Sequence, residues 1–226
     1  MSSVKQTVNS AGGFSITQYT GASGNQWILN GLGTSDAKVD FYIIKANAAQ
    51  NWKIWHTGFA DQTEDHLSWN LGNAVGSHSD IWAGTGPETN GKIHLGQTSV
   101  MSASTWFMCY AWKATAGVSA FGKYTGTGGA LSTSDQSGAT NCGFKPRWLM
   151  IKNRDVAARN WVVLDSFRSD PDSPITTYFN PSTTAAEADT AAYEVTFTST
   201  GFTFSSATTI NYMNTSSDTY IYAAFA

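Results

Sequence analysis

Thr105-Trp-Phe-Met-Cys-Tyr-Ala111 is a bulky apolar run near mid-chain, and Thr219-Tyr-Ile-Tyr-Ala-Ala-Phe225 repeats its character 114 residues later. Three more pairs precede it in the same order. Tyr19-Thr-Gly21 returns as Tyr124-Thr-Gly126, 105 residues on, and Phe41-Tyr-Ile-Ile-Lys45 as Trp148-Leu-Met-Ile-Lys152, 107 on. Asn51-Trp52 returns as Asn160-Trp161, 109 on. The offset grows in one direction, as loop insertions between matched strands make it grow, and repeats at a long period define architecture. The chain therefore reads as two homologous halves, residues 13–114 and 115–226, behind an N-terminal arm of residues 1–12.

Each half reads as strands. Tyr193, Val195 and Phe197 alternate with Glu194, Thr196 and Thr198, and the run breaks at Gly201, as in a hairpin. Val39–Ile44 and Arg147–Ile151 are nearly continuous apolar runs, the pattern of strands buried on both faces. In the closing run, Trp106, Met108, Tyr110 and Trp112 form a bulky phase, which Tyr220 and Tyr222 keep in the second half. The one stretch that suits a short helix is Thr184–Thr190. Many short strands between Gly, Asn, Ser and Pro clusters predict an all-β chain of two tandem β-sandwich domains, jelly-roll-like in type.

Composition agrees. Of 226 residues, 13% are charged and 41% hydrophobic, with 21 glycines and 13% aromatics. Half the usual charge with so many rings describes a β protein and argues against disorder, since that apolar surface needs burial. The net charge of −3 lacks the clustered Lys and Arg that neutralise phosphates, so no nucleic-acid partner is expected. No apolar run long enough to cross a membrane occurs, and residues 1–13 do not resemble a secretory leader. Cys109 and Cys142 form neither a disulfide framework nor a zinc pattern, which suits synthesis in a reducing cytoplasm.

Motifs with chemistry are weak. Gly86-Pro-Glu-Thr-Asn-Gly91-Lys92 has the glycine and lysine spacing of a phosphate loop, but Ile93 stands where a Ser or Thr must hold magnesium. Moreover, Lys92–Leu95 reads as a strand, and phosphate cradling needs a helix N-terminus there. Asp61-Gln-Thr-Glu64-Asp65-His66 is the densest ionisable cluster, without the ligand spacing of a calcium loop. The four histidines have no pairing that sets two ligands on one face, and no nucleophile elbow is present. A carboxylate pair brought together from separate strands stays open, yet the residues favour a protein without catalysis, cofactor or metal.

The aromatic residues are unevenly placed. Trp27, Trp52, Trp55, Trp69, Trp82, Trp106 and Trp112, out of nine tryptophans, fall in the first half. That exceeds what a small core needs, so some are expected at an interface or in a groove. Trp52, Trp55, Trp69 and Trp82, with His66, His78 and Asp80, are the candidate interface or ligand residues. Trp69 and Trp82, flanked by His66, His78 and Asp80 in loop-like sequence, suit a platform for stacking sugar rings.

The order Tyr124-Thr-Gly126, Gly143-Phe144-x-Pro146, Trp148-Leu-Met-Ile-Lys152-Asn153, Asn160-Trp161, Asp165-Ser166-x-Arg168 and Thr219 to Ala226 carries a family resemblance. It resembles a repeated domain found at the C-terminal ends of structural proteins from tailed bacteriophages, marine and cyanobacterial ones above all. The first half departs from it, since Gly31-Leu-Gly33 lacks the nearby proline and the closing run ends Cys109-Tyr-Ala-Trp112. The resemblance implies a virion protein made in the host cytoplasm: a peripheral head decoration or a tail-fibre or spike part that docks onto capsid or tail proteins. It supplies no catalytic residues. A homo-oligomer of closed cyclic symmetry is expected, with a trimer the first guess. The alternative is an adhesin that recognises host cell-surface polysaccharide.

Overall fold

The computed structural model describes residues 5–32, 38–88, 91–168, 174–205 and 212–226. It is all-β, and among the described residues the named strands pair antiparallel throughout. Two compact units divide it: Met1–Trp69 with Val75–Thr115, and Asn70–Ala74 with Ala116–Ala226.

Among the described residues the first unit carries ten strands: β1 (Lys5–Asn9), β2 (Phe14–Thr20), β3 (Gln26–Leu29), β4 (Phe41–Ala46), β5 (Lys53–His56), β6 (Asp65–Ser68), β7 (Gly76–Ser77), β8 (Pro87–Glu88), β9 (Lys92–Leu95) and β10 (Trp106–Trp112). A single helical turn, α1 (Thr98–Met101), precedes the last. Seven strands form one sheet in the order β1-β2-β10-β4-β5-β6-β7, and β3-β9-β8 form a second. The Leu29 carbonyl accepts from Gln6 Nε2 at 2.8 Å and Thr17 Oγ1 at 3.2 Å, which ties the small sheet to β1 and β2. Tyr19, Tyr42, Trp55, Trp82, Ile93, Leu95 and Phe107 are buried in this unit. In β2 the phase is the reverse of what hydropathy suggests: Ser15 and Thr17 are buried beside Tyr19, while Phe14 and Ile16 are half-exposed.

The second unit has eight strands among the described residues: β11 (Ser119–Thr125), β12 (Trp148–Asn153), β13 (Val162–Asp165), β14 (Thr177–Tyr178), β15 (Ala188–Asp189), β16 (Val195–Thr198), β17 (Gly201–Phe204) and β18 (Thr219–Phe225). Its main sheet runs β11-β18-β12-β13, with hairpins β14-β15 and β16-β17 beside it. Leu149, Ile151, Tyr124, Tyr220 and Tyr222 of that sheet pack with Val195, Phe202 and Phe204 of the second hairpin in one apolar cluster. The hairpin turns where the alternation breaks, and Gly201 is required there. A Cβ on it would lie 2.1 Å from the Thr140 carbonyl.

The order β2-β10-β4-β5 in one sheet recurs as β11-β18-β12-β13 in the other. Tyr19 stands opposite Phe107, and Tyr124 opposite Tyr220. Phe41 stands opposite Trp112, and Trp148 opposite Phe225. The closing strands therefore correspond at 113 residues, one fewer than the sequence suggested. A slip of one residue exchanges the faces of a strand. Tyr220 and Tyr222 share the phase of Phe107 and Cys109, not that of Trp106 and Met108.

Two further expectations change. Residues 5–9 of the expected arm form β1, because Lys5, Thr7 and Asn9 fall opposite Gln18, Ile16 and Phe14; residues 1–4 lie outside the described residues. Thr184–Thr190 holds no helix, and its end is β15. The Thr190 hydroxyl instead caps a 3-10 turn at Ala191–Tyr193 by accepting from the Ala192 N–H.

Candidate binding surface

The expected site residues separate into core and surface. Trp82 is fully buried, with its indole N–H donating to the Asp65 carbonyl at 2.8 Å and its ring edge-on to Tyr42. Trp55 is buried flat against Tyr42 and donates to the Gln62 carbonyl at 2.8 Å. Both rings have their one polar atom satisfied inside the unit, as buried Trp requires. The stacking platform expected at Trp82 is thus core.

Trp52 and Trp69 are half-buried neighbours, 6.3 Å between ring centroids, and the Trp69 N–H donates to the Trp52 carbonyl at 3.3 Å. His66 is half-buried on β6. Burial, and then the Lys53 ammonium, pull its pKa down to about 4, so the ring is neutral at pH 7. His78 and Asp80 are exposed, and both are engaged: His78 Nδ1 accepts from the Asp80 N–H, and Asp80 Oδ2 from Gln97 Nε2 beyond β9. The structure brings Trp52 to Trp69 and His78 to Asp80, and does not assemble the seven into one face.

The acidic cluster is a turn. Asp61 Oδ1 accepts from the N–H and hydroxyl of Thr63, and Asp65 Oδ2 from the Asp61 N–H. Glu64 Oε2 accepts from the Ser77 hydroxyl at 2.9 Å. These carboxylates close the loop on itself. Among the described residues no group of three His, Cys, Asp or Glu could hold a metal ion. Cys109 and Cys142 are free thiols, both pushed up by burial. The phosphate-loop lysine begins β9, in a hairpin with β8, as its strand-like sequence suggested.

The surface that presents itself is the outer face of β3 and β9. Gln26 and Ile28 face inward, so Trp27 and Leu29 face out, 43% and 56% exposed. Trp27 lies opposite His94, and their rings stack at 3.6 Å with planes 11° apart. His94 Nδ1 shares a hydrogen bond with the Thr85 hydroxyl at 2.7 Å, which orients the imidazole. Lys92, opposite Leu29, places its ammonium 5.8 Å from the Trp27 ring centroid, within cation–π reach. Val8 of β1 is also exposed, and a Cβ on Gly31 would lie 2.5 Å from it, so Val8 adjoins the end of this stripe. The Trp27 ring is thus held by an imidazole and fringed by a cation and a hydroxyl.

The whole chain, residues 1–226, matches one family, described as a domain of unknown function, DUF7483. The chain belongs to it. No curated protein and no solved structure matches the DUF7483 chain. Sequence reasoning named Trp27 among the surplus tryptophans but missed it, with His94, as a site. The available signal was the four-residue strand Gln26–Leu29, in which Ile28 falls opposite apolar Ile93 while Trp27 and Leu29 fall opposite polar His94 and Lys92.

Proposed function

We propose that this DUF7483 chain is a non-enzymatic structural protein of a tailed-bacteriophage particle, a peripheral part that docks onto other virion proteins. The observation that carries docking is the Trp27–Leu29 stripe, two large apolar side chains standing out from the paired strands β3 and β9. The setting in a virion rests on the resemblance of the chain from Gly12 onward, strongest in its second half, to the repeated phage domain. Head decoration and tail-fibre or spike part both fit a protein that meets its neighbour through one aromatic face. The test is to locate the chain on the particle by imaging and to ask whether Trp27→Ala with Leu29→Ala lowers its incorporation. Incorporation unchanged by the double substitution overturns the docking role of this face.

We also infer that the two units are tandem copies of one sandwich. Matched backbone bonds support it. The Asp40 N–H donates to the Trp112 carbonyl at 2.8 Å, and the Arg147 N–H to that of Phe225 at 2.7 Å. The Gly21 N–H donates to Thr105, and the Gly126 N–H to Asp218, both at 2.8 Å. A Cβ on Gly21 would lie 2.2 Å from the Ser102 carbonyl, and one on Gly126 2.0 Å from that of Thr215.

A second reading is favoured by the polar fringe of Trp27. An indole flanked by Thr85, His94 and Lys92 also suits a sugar ring, with stacking on the face and hydroxyls bonded at the rim. An adhesin of this kind binds host polysaccharide on a glycan array and loses the signal with Trp27→Ala; silence across host glycans removes the reading.

A further inference from the structure

All five residues of β1 are exposed, and β1 ends the seven-stranded sheet. The direction of its backbone groups follows from bonds two strands away. The Gly21 N–H donates to Thr105 and the Lys113 N–H to Gly13, so the odd residues of β2 bond to β10. Phe14, Ile16 and Gln18 therefore bond to Asn9, Thr7 and Lys5 of β1. The N–H and C=O of Gln6 and Val8 point outward, and among the described residues they meet no partner.

The other ends of the two main sheets are shorter or taken up in part. β7 has two residues. At β13, Val163 exchanges both backbone bonds with Phe179. At β11, the Gln136 amide takes up both backbone groups of Thr125, and Ser119 at the far end is buried. Natural proteins blunt an edge with Pro, a bulge, charge or a covering segment, and among the described residues β1 has none of these but Lys5.

We propose that β1 pairs with β1 of a second copy, antiparallel about a two-fold axis through Thr7, making the chain a symmetric dimer. Its residues suit themselves. The outward positions Gln6 and Val8 lie symmetrically about Thr7, as a two-fold antiparallel pair requires, and they exchange four backbone hydrogen bonds with Val8 and Gln6 of the second copy. Thr7 meets Thr7 of the second copy, a favourable cross-strand pair. Lys5, the strand's one charge, falls opposite Asn9 of the second copy. Moving the axis to Lys5 sets two ammonium groups against each other, and moving it to Asn9 shortens the overlap. Val8 is 36% exposed and adjoins the Leu29 stripe, so the added strand also covers apolar surface. Such a contact is isologous and closes at two copies, whereas a trimer needs two different patches. The proposal stands on β1 alone, whatever the chain docks to.

The test uses the full chain. Light scattering over a concentration series is expected to show dimers. Val8→Pro removes an outward N–H and leaves the β1–β2 ladder intact, so it is expected to give folded monomers whose melting temperature no longer depends on concentration. As a second measurement, Thr7→Cys in a Cys142→Ser background is expected to form an inter-chain disulfide on mild oxidation. Facing residues of this kind have Cα atoms about 4.5 Å apart, within disulfide range. Lys5→Cys in the same background is expected not to cross-link to itself. A monomer at every concentration, a trimer, or cross-linking of Lys5→Cys as efficient as that of Thr7→Cys overturns the proposal.

Discussion

The Tyr124 hydroxyl donates to the carbonyl oxygen of Met213 at 2.5 Å, and both residues are buried. The first unit holds the same device, with the Tyr19 hydroxyl donating to the Val100 carbonyl at 2.7 Å. Each phenol reaches from a sheet strand to the segment that leads into the closing strand, and so pins that segment. Tyr124→Phe strands a buried carbonyl, which costs about 1–3 kcal/mol. Tyr19→Phe is expected to cost a similar amount. Urea unfolding of the two variants checks this, and a loss below about 0.5 kcal/mol in both contradicts it.

Lys152 on β12 is fully buried, and its ammonium donates to the Asn153 carbonyl. Burial pulls its pKa down to about 7 from 10.5. The unfolded chain then binds more protons than the folded one between those values, so the lysine makes stability rise with pH in that window. The slope approaches about 1.4 kcal/mol per pH unit for one group. Lys152→Met is expected to raise the melting temperature at pH 6 and to flatten its climb from pH 7 to 10. A mutant that melts lower than the parent at pH 6 contradicts the burial cost.

Trp82 and Trp27 separate core from surface. Trp82→Ala empties a buried site and is expected to cost about 3–5 kcal/mol. Trp27→Ala removes a ring 43% exposed and is expected to stay within about 1 kcal/mol of the parent. Equal losses in thermal unfolding would show that the Trp27–His94 stack is structural.

Gly126 has no room for a methyl group, since a Cβ there would lie 2.0 Å from the Thr215 carbonyl. The obstacle is backbone, which a side-chain rotation cannot relieve. Gly126→Ala is expected to cost at least about 1–3 kcal/mol, whereas Gly129→Ala, which meets nothing, is expected to be nearly neutral. Denaturation midpoints of the pair check the contrast.

Much of the fold was legible because burial on both faces leaves unbroken apolar runs, as in β4 and β12. Strand phase was harder to read. The closing strand of the second unit holds Tyr220, Ile221, Tyr222, Ala223 and Ala224, all buried, so hydropathy has no period there and the true register shows only in the partners of Phe107 and Tyr220. The arm was misread because Ser, Asn and Gly around residue 10 suit a loop, while the pairing of β1 with β2 depends on backbone bonds that composition does not register. Trp82 looked like surface for a related reason. Its neighbours His78, Ser79 and Asp80 are exposed, yet the chain turns the next two side chains inward.

The assignment of Asn70–Ala74 to the second unit has a practical meaning. The Arg159 N–H donates to the Gly72 carbonyl at 3.1 Å, so five residues encoded amid the N-terminal unit complete the wall of the C-terminal one. A fragment starting at Ala116 would be born with a gap. Grafting that half onto another scaffold calls for the pentapeptide as well, by circular rearrangement or as a separate chain, if Arg159 is to keep its carbonyl partner.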